Sequence, residues 1–308
     1  MAARSPRVPV IVGPTAVGKT ALVLALARHW PIVVISADSR QIYRGLDVGT
    51  GKPTREEQAA VPHYGLDVVE PGERYSAGRF ARDAAGWLSN LPAGKRAVIA
   101  GGTGLYIRAL VDGLFHEPPL DPDRRKRLET WAAREPSLAR WAVRLDPEFS
   151  GGGRQRAARG VEVALLTGRP LSWWQRMARA EGVLRPVYVR LTLPRAVLHR
   201  RIAERVQRWL AAGWVDEVRM VLQRGVAPGA PGLDAVGYRE IVRRLQGELG
   251  VSELPDAIIT ATRRYAKRQE TWFRHQLGGG PVLTFDASEP VEALARRFME
   301  HWEAEFAA

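Results

Sequence analysis

An open, parallel α/β sheet flanked by helices, interrupted by an all-helical insertion, is the fold this sequence predicts. Short apolar runs alternate with helix-patterned runs from Val8 to Val111, and glycine-rich turns follow two of those runs. From Asp121 to Ala180 no strand candidate remains, only helical segments carrying Arg and Trp. Strand alternating with helix argues for parallel strands joined by crossovers, with ligands at their carboxyl edge.

Val8 to Val12 opens the pattern as a buried strand, and Ala21 to Trp30 reads as the first helix. Pro31 to Ile35 is a second buried strand. The segment Asp38 to Thr54, with Gly45, Gly49, Gly51 and Pro53, has no helical period and reads as a long functional loop. His63 to Val69 is a further strand candidate. Ser76 can cap a helix whose Phe80, Ala84, Trp87 and Leu88 share one face. Ala97 to Ala100 is the next strand, followed by the turn Gly101-Gly102-Thr103-Gly104 and a helical Leu105 to Val111. Pro118-Pro119 and Gly182 to Pro186 bracket the insertion, so the domains are 118–185 against a core of 1–117 and 186–308 with basic C-terminal helices. Val187 to Leu193 returns to strand. In the helix Arg195 to Ala212, Arg205 lies seven residues after Leu198 and projects near the apolar face. A helix pair covers Val215 to Leu249. The helix Pro255 to Gln276 sets Ile258, Thr262, Tyr265, Gln269 and Trp272 on one stripe. Val282 to Phe285 is a last strand and Glu289 to Phe306 a closing helix.

Gly13-Pro14-Thr15-Ala16-Val17-Gly18-Lys19-Thr20 stands between the first strand and first helix. In such a loop successive N–H groups point inward, the helix N-terminus adds its positive end, Lys19 reaches terminal phosphates and Thr20 can ligate Mg²⁺. The fold is therefore P-loop NTPase-like, and the loop holds a diphosphate or a triphosphate. An ordinary P-loop NTPase has an acid at the end of a later strand; here that strand ends in Gly101-Gly102-Thr103-Gly104. Asp38 is the acid best placed to face the loop. From residues alone it has three readings: a partner of Mg²⁺, a general base in a nucleoside-kinase-like site, or a cap of the turn after its strand.

The 308 residues are 45% hydrophobic with a net charge of +13, and Arg greatly outnumbers Lys. A polyanionic partner is the natural inference, and an arginine-rich proteome is the bland one. Zero cysteines exclude disulfides and thiolate metal sites. The six histidines show no ligand spacing. Neither a signal peptide nor a membrane span is visible, which suggests a cytoplasmic protein. Trp173-Trp174 reads as packing, with base stacking as the alternative.

Together, Gly13 to Thr20, Ile35-Ser36-Ala37-Asp38-Ser39-Arg40-Gln41-Ile42-Tyr43 through Lys52-Pro53, and Gly101 to Tyr106 resemble the bacterial tRNA dimethylallyltransferases, the MiaA family. Gln155-Arg156-Ala157-Ala158-Arg159, Ala235-Val236-Gly237-Tyr238-Arg239-Glu240 and Lys267 to Arg274 agree, so the likeness spans about residues 8 to 275. The resemblance implies transfer of a dimethylallyl group from dimethylallyl diphosphate to the N6 amine of the adenosine 3′ of the anticodon (position 37), in tRNAs reading codons that start with U, with Mg²⁺ as cofactor. It implies Asp38 as the base, Thr103 at the mouth of the reaction channel, and Arg156 and Arg205 with Gly13 to Thr20 as diphosphate partners. It implies tRNA contacts at Asp38, Ser39, Arg40, Gln41, Thr103, Arg125, Gln155 to Arg159 and Ala235 to Arg239, a tRNA-gripping role for the insertion, and a monomer. The eukaryotic branch's zinc finger is ruled out by the missing cysteines. Ala157-Ala158 replaces bulkier residues of the pattern. Rival readings are a small-molecule kinase and an isopentenyltransferase acting on free AMP; the Arg-rich insertion argues against both, since an open sheet alone closes around a small acceptor.

Overall fold

The computed structural model describes residues 5–114, 120–177 and 181–306. The bracket Pro118-Pro119 lies outside the described residues, as does Ala180, the last residue of the stretch expected to lack strands. The chain forms two compact units: residues up to Val111 together with those from Val183 onward, and Asp112–Gly182.

The first unit is a six-stranded, wholly parallel sheet. In chain order it contains β1 (Arg7–Val12), α1 (Lys19–Ala27), β2 (Ile32–Ser36), α2 (Arg55–Ala60), β3 (His63–Tyr64), α3 (Ala77–Ser89), β4 (Arg96–Gly101) and α4 (Gly104–Val111). After the helical unit's α5 (Pro122–Arg134), α6 (Leu138–Leu145), α7 (Gly153–Thr167) and α8 (Leu171–Met177) come β5 (Arg185–Thr192), α9 (Arg195–Ala211), α10 (Trp214–Gln223), α11 (Tyr238–Leu245), α12 (Leu254–His275), β6 (Val282–Asp286) and α13 (Val291–Phe306). Strand order is β3-β2-β4-β1-β5-β6, with Val10 opposite both Ile99 and Tyr188. Strands covered on both faces are largely apolar, which is why β1, β2 and β4 read as short apolar runs rich in Val, Ile and Ala; β5 is apolar over Pro186–Val189 and is interrupted by Arg190. Val10, Ile11, Val12, Val33, Ile35, Val98, Ile99 and Val189 are all buried.

The carboxyl ends of β2 and β4 approach closely. A Cβ at Gly101 would lie 2.1 Å from the Ala37 carbonyl oxygen, so only glycine permits the Ala37 N–H to bond Ala100 O (2.8 Å) and the Thr103 N–H to bond Ala37 O (3.1 Å). This contact sets the turn after β4 beside Asp38.

The strand expected over His63 to Val69 is shorter. Only His63 and Tyr64 pair with β2, because Gly65 (φ 80°) and Asp67 (φ 53°) turn left-handed and break the extended backbone. Val69 rejoins through an isolated parallel bridge to Tyr43. Residues 38–54 form a loop with a tightly held middle. The Lys52 side chain is 3% exposed and ion-pairs with Asp47 and Asp67, each at 2.6 Å, while its Nζ also donates to Tyr43 O. Ser76 caps α3 by accepting from the Arg79 N–H.

In the helical unit, Ala132, Leu138, Ala142, Ala157 and Val161 form the core, with Trp131, Leu145 and Phe149 against it. Buried Asp146 holds the start of α8, accepting from Ser172 N–H (2.9 Å) and Oγ (2.7 Å). Trp173 and Trp174 pack edge to face at 4.9 Å, and Trp174 Nε1 donates to Thr167 Oγ1. Among the described residues no helix is long and apolar enough to cross a membrane.

Candidate active site

The phosphate loop follows β1 at the carboxyl edge of the sheet. Lys19 Nζ donates to the carbonyls of Gly13 (2.9 Å) and Pro14 (3.0 Å), so its ammonium lies back along the loop. Burial lowers Lys19 to about 8, partly offset by the Asp38 carboxylate and deepened by Arg205. Arg205 reaches the same loop from α9: its Nη2 donates to Thr15 Oγ1, and its guanidinium lies 4.4 Å from the Trp209 ring centre. Burial lowers it to about 10, opposed by Asp38 and furthered by Arg208. Arg205 Nε is buried with no acceptor. Two enclosed cations, one carboxylate and a row of backbone N–H groups make a strong anion site.

Asp38 and Thr103 form the opposite wall. Asp38 Oδ1 accepts from the Arg40 N–H at 2.9 Å, so it does cap its turn, and its charge is felt by both Lys19 and Arg205. Capping occupies one lone pair and leaves the carboxylate able to accept elsewhere. Thr103 Oγ1 accepts from the Ser39 N–H (2.9 Å) and donates to Ser39 Oγ (3.2 Å), which locks the β4 turn to the residue after Asp38.

These residues face a cavity of about 390 Å³ also lined by Arg40, Trp209, Tyr265, Arg268, Gln269 and Trp272 and by the turn Ala235, Val236, Tyr238 and Arg239. Gln41 turns away, its Nε2 donating to Gly51 O and its Oε1 accepting from Ser36 Oγ. Gly237 begins α11 with φ 89°. Thr20 is exposed on the first turn of α1. With Lys19, Ser36, Asp38 and Gln41 it borders a smaller chamber of about 50 Å³. Among the described residues no group of three His, Asp or Glu side chains converges to hold a metal. One hydroxyl and one carboxylate fit Mg²⁺, which binds few protein ligands and keeps waters and substrate phosphates.

Arg125, Gln155, Arg156, Ala157, Ala158 and Arg159 belong to the helical unit. Arg125 Nε and Arg159 Nη1 share Glu162 at 3.1 and 2.5 Å, whereas Gln155 and Arg156 are exposed on the first turn of α7. For Ala157 the expected RNA contact needs correcting: its side chain is 2% exposed inside the unit's core and has no surface to present.

Two buried polar residues emerge that sequence reasoning did not single out for the site. Gln269 spans both glycine turns: its Oε1 accepts from the Thr15 N–H (2.8 Å) and its Nε2 donates to Gly102 O (2.9 Å). A Cβ on Gly102 would lie 2.3 Å from that Nε2. Glu217, on α10, accepts from the N–H groups of Asp47 (2.7 Å) and Val48 (2.8 Å) and from Tyr238 Oη (2.6 Å). It thereby ties the 38–54 loop to the start of α11. A polar residue within an apolar stripe was the available signal for both. Glu217→Leu strands two N–H groups and a phenol, and an expected loss of about 3 kcal/mol will appear in urea or thermal denaturation; a variant as stable as the parent would remove this clamp.

The isopentenyl transferase family model matches residues 6–65, and the IPP transferase model matches residues 41–276. The chain is 42% identical over 297 residues to the tRNA dimethylallyltransferase of Syntrophobacter fumaroxidans, covering 94% of this chain and 86% of that protein. It is 42% identical over 301 residues to that of Anaeromyxobacter dehalogenans, covering 96% and 97%. The crystal structure of tRNA isopentenylpyrophosphate transferase from Bacillus halodurans matches with a TM-score of 0.71 and 32% identity, covering 98% of this chain and 96% of that one. A eukaryotic dimethylallyltransferase acting on tRNA shares the fold, with a TM-score of 0.75 at 23% identity over 98% of this chain and 77% of that one. With its phosphate loop, its Asp38–Thr103 wall and these matches across most of its length, the chain belongs to the IPP transferase family.

Proposed function

We propose that this chain transfers the dimethylallyl group of dimethylallyl diphosphate to the N6 amine of an adenosine in tRNA, next to the anticodon, with release of diphosphate. The observation that carries the reading is the convergence of Thr15 of the phosphate loop, Arg205, Asp38 and Thr103 on one cavity, with Lys19 beside Asp38 on the adjoining small chamber and close enough to Asp38 and Arg205 to feel both charges. The names borne by the 42%-identical relatives support it.

The allylic carbon–oxygen bond breaks as negative charge builds on the diphosphate, and the loop N–H groups with Lys19 and Arg205 stabilise that charge. The adenine amine is a poor nucleophile because its lone pair is delocalised into the ring. Its nitrogen forms the new bond to carbon while Asp38 accepts the proton. Thr103 Oγ1, fixed by Ser39, orients the base beside Asp38. Thr20, with Asp38 nearby, would hold Mg²⁺, which supplies further charge neutralisation to the leaving group. Arg156, exposed at the start of α7, is proposed as a diphosphate partner on the resemblance of the Gln155 to Arg159 segment alone.

An adenosine within a stacked anticodon loop must be extruded, at a few kcal/mol. Trp209, Trp272 and Tyr265 offer rings to a displaced base. Arg40, Arg125, Gln155, Arg159 and the 235–239 turn are the proposed RNA contacts, and the helical unit grips the anticodon arm. The same reading makes the enzyme a cytoplasmic monomer.

Radiolabelled dimethylallyl diphosphate offered with unmodified tRNA or AMP tests it: label enters tRNA alone. Label in AMP overturns the RNA acceptor, and label in neither overturns the transfer.

A further inference from the structure

The face of α12 turned away from the cavity carries a second concavity. Between α9 and α12 lies a groove of about 490 Å³ lined by Arg195, Arg263, Arg264, Lys267 and Arg274, with Leu198 and Ala266 in its floor. At 100° per residue, Arg263, Lys267 and Arg274 lie about half a turn round α12 from Tyr265, Gln269 and Trp272. Cavity and groove are the two sides of one helix.

Arginine-rich composition does not account for this arrangement. Some arginines elsewhere stand against acids, as in Arg28–Glu292, Arg44–Glu70, Arg176–Glu148 and Arg297–Glu289; the groove differs in gathering five cations into one concavity. In the groove Glu270 is the one carboxylate of the lining, and none of its five cations makes an ion pair among the described residues. Arg263 Nε is buried with no acceptor. Desolvation, then Arg263 and Arg195, push the neighbouring His199 imidazole down. Like charges held together repel, and an anion relieves both the repulsion and the orphaned donor. The cations from Arg263 to Arg274 extend over about 16 Å of helix, more than one phosphate group covers and suited to a row of them.

We propose that this groove is a track for the sugar–phosphate backbone of the RNA acceptor, holding phosphates that flank the nucleotide delivered to the cavity across α12. The inference rests on the tRNA reading above and adds a binding surface to it. Its narrow, concave form between two helices suits a single chain of phosphates rather than a flat lipid surface.

The test compares the full chain with a Lys267→Gln/Arg274→Gln variant, both positions exposed, and an Arg28→Gln control. Affinity for unmodified tRNA is followed by fluorescence anisotropy across a salt series. The groove variant should bind tRNA on the order of tenfold more weakly, and its plot of log affinity against log salt should be shallower by about 1 to 2. Its KM for dimethylallyl diphosphate stays with that of the parent, and the control keeps the parent's slope. A folded groove variant with the parental affinity and slope, alongside normal label transfer by the parent, overturns the groove alone. A parent that transfers no label to tRNA overturns the reading beneath it as well.

Discussion

Asp38→Asn is expected to slow dimethylallyl transfer by about 10²- to 10⁴-fold, the range a positioned general base contributes, while tRNA and diphosphate bind nearly as before. The substitution is chosen from the geometry. The Asp38 Oδ1 that accepts from the Arg40 N–H becomes an amide oxygen that still accepts, though without charge assistance, so the turn after β2 and the Ser39–Thr103 lock are kept. What disappears is an acceptor for the amine's proton and a negative charge beside Lys19 and Arg205. Losing that charge also removes the support Asp38 gives the Lys19 ammonium, so donor binding is compared well below pH 8 and at saturating Mg²⁺. Single-turnover transfer measured with both substrates saturating separates the two effects, and parental turnover in the variant would remove Asp38 from the chemistry.

Lys19→Met should cost about 10²- to 10³-fold in kcat/KM for the diphosphate donor, the usual scale for removing one preorganised group that meets developing negative charge. The pH profile makes the expectation specific. Lys19 sits at about 8 in the free protein because burial disfavours its charged form. Below that pH the ammonium is present and attracts the donor; above it the neutral amine does not, so kcat/KM should fall as pH rises through about 8. Arg205, at about 10, stays charged across that range. In Lys19→Met the fall near 8 should vanish. A variant that keeps the same alkaline limb would assign it to another group.

Much of the fold was legible because of what surrounds each strand. β1, β2 and β4 are covered on both faces, so after their first residues their sequences are apolar runs with little resemblance to a helix, and β5 follows suit except at Arg190. The run from His63 to Val69 looks similar, yet Gly65 and Asp67 take left-handed conformations inside it, and residue type alone gives little warning that an aspartate will do so. Side chains whose chemistry is printed in a motif, such as Lys19 and Thr20, could be named in advance. Arg205 was readable because a charge seven residues from Leu198 falls beside an apolar face. For Gln269 and Glu217 a polar residue in an apolar stripe was the one signal, and it does not name the partners, which apart from Tyr238 Oη are main-chain N–H and C=O groups of Thr15, Gly102, Asp47 and Val48 that every residue carries. Ala157 failed for the reverse reason: the motif around it faces outward, but its own side chain faces the core.

The Gln269 bridge also bears on when the site comes into being. Its bond to the Thr15 N–H joins residues 254 positions apart, so the phosphate loop meets this partner only once α12 has been made. Early segments can collapse into β1, β2 and β4 while still attached to the translation machinery, but the nucleotide-like cradle they enclose is left unlatched until α12 emerges and docks. A nascent chain halted before Leu254 thus displays the phosphate signature in its sequence without the latch that sets it.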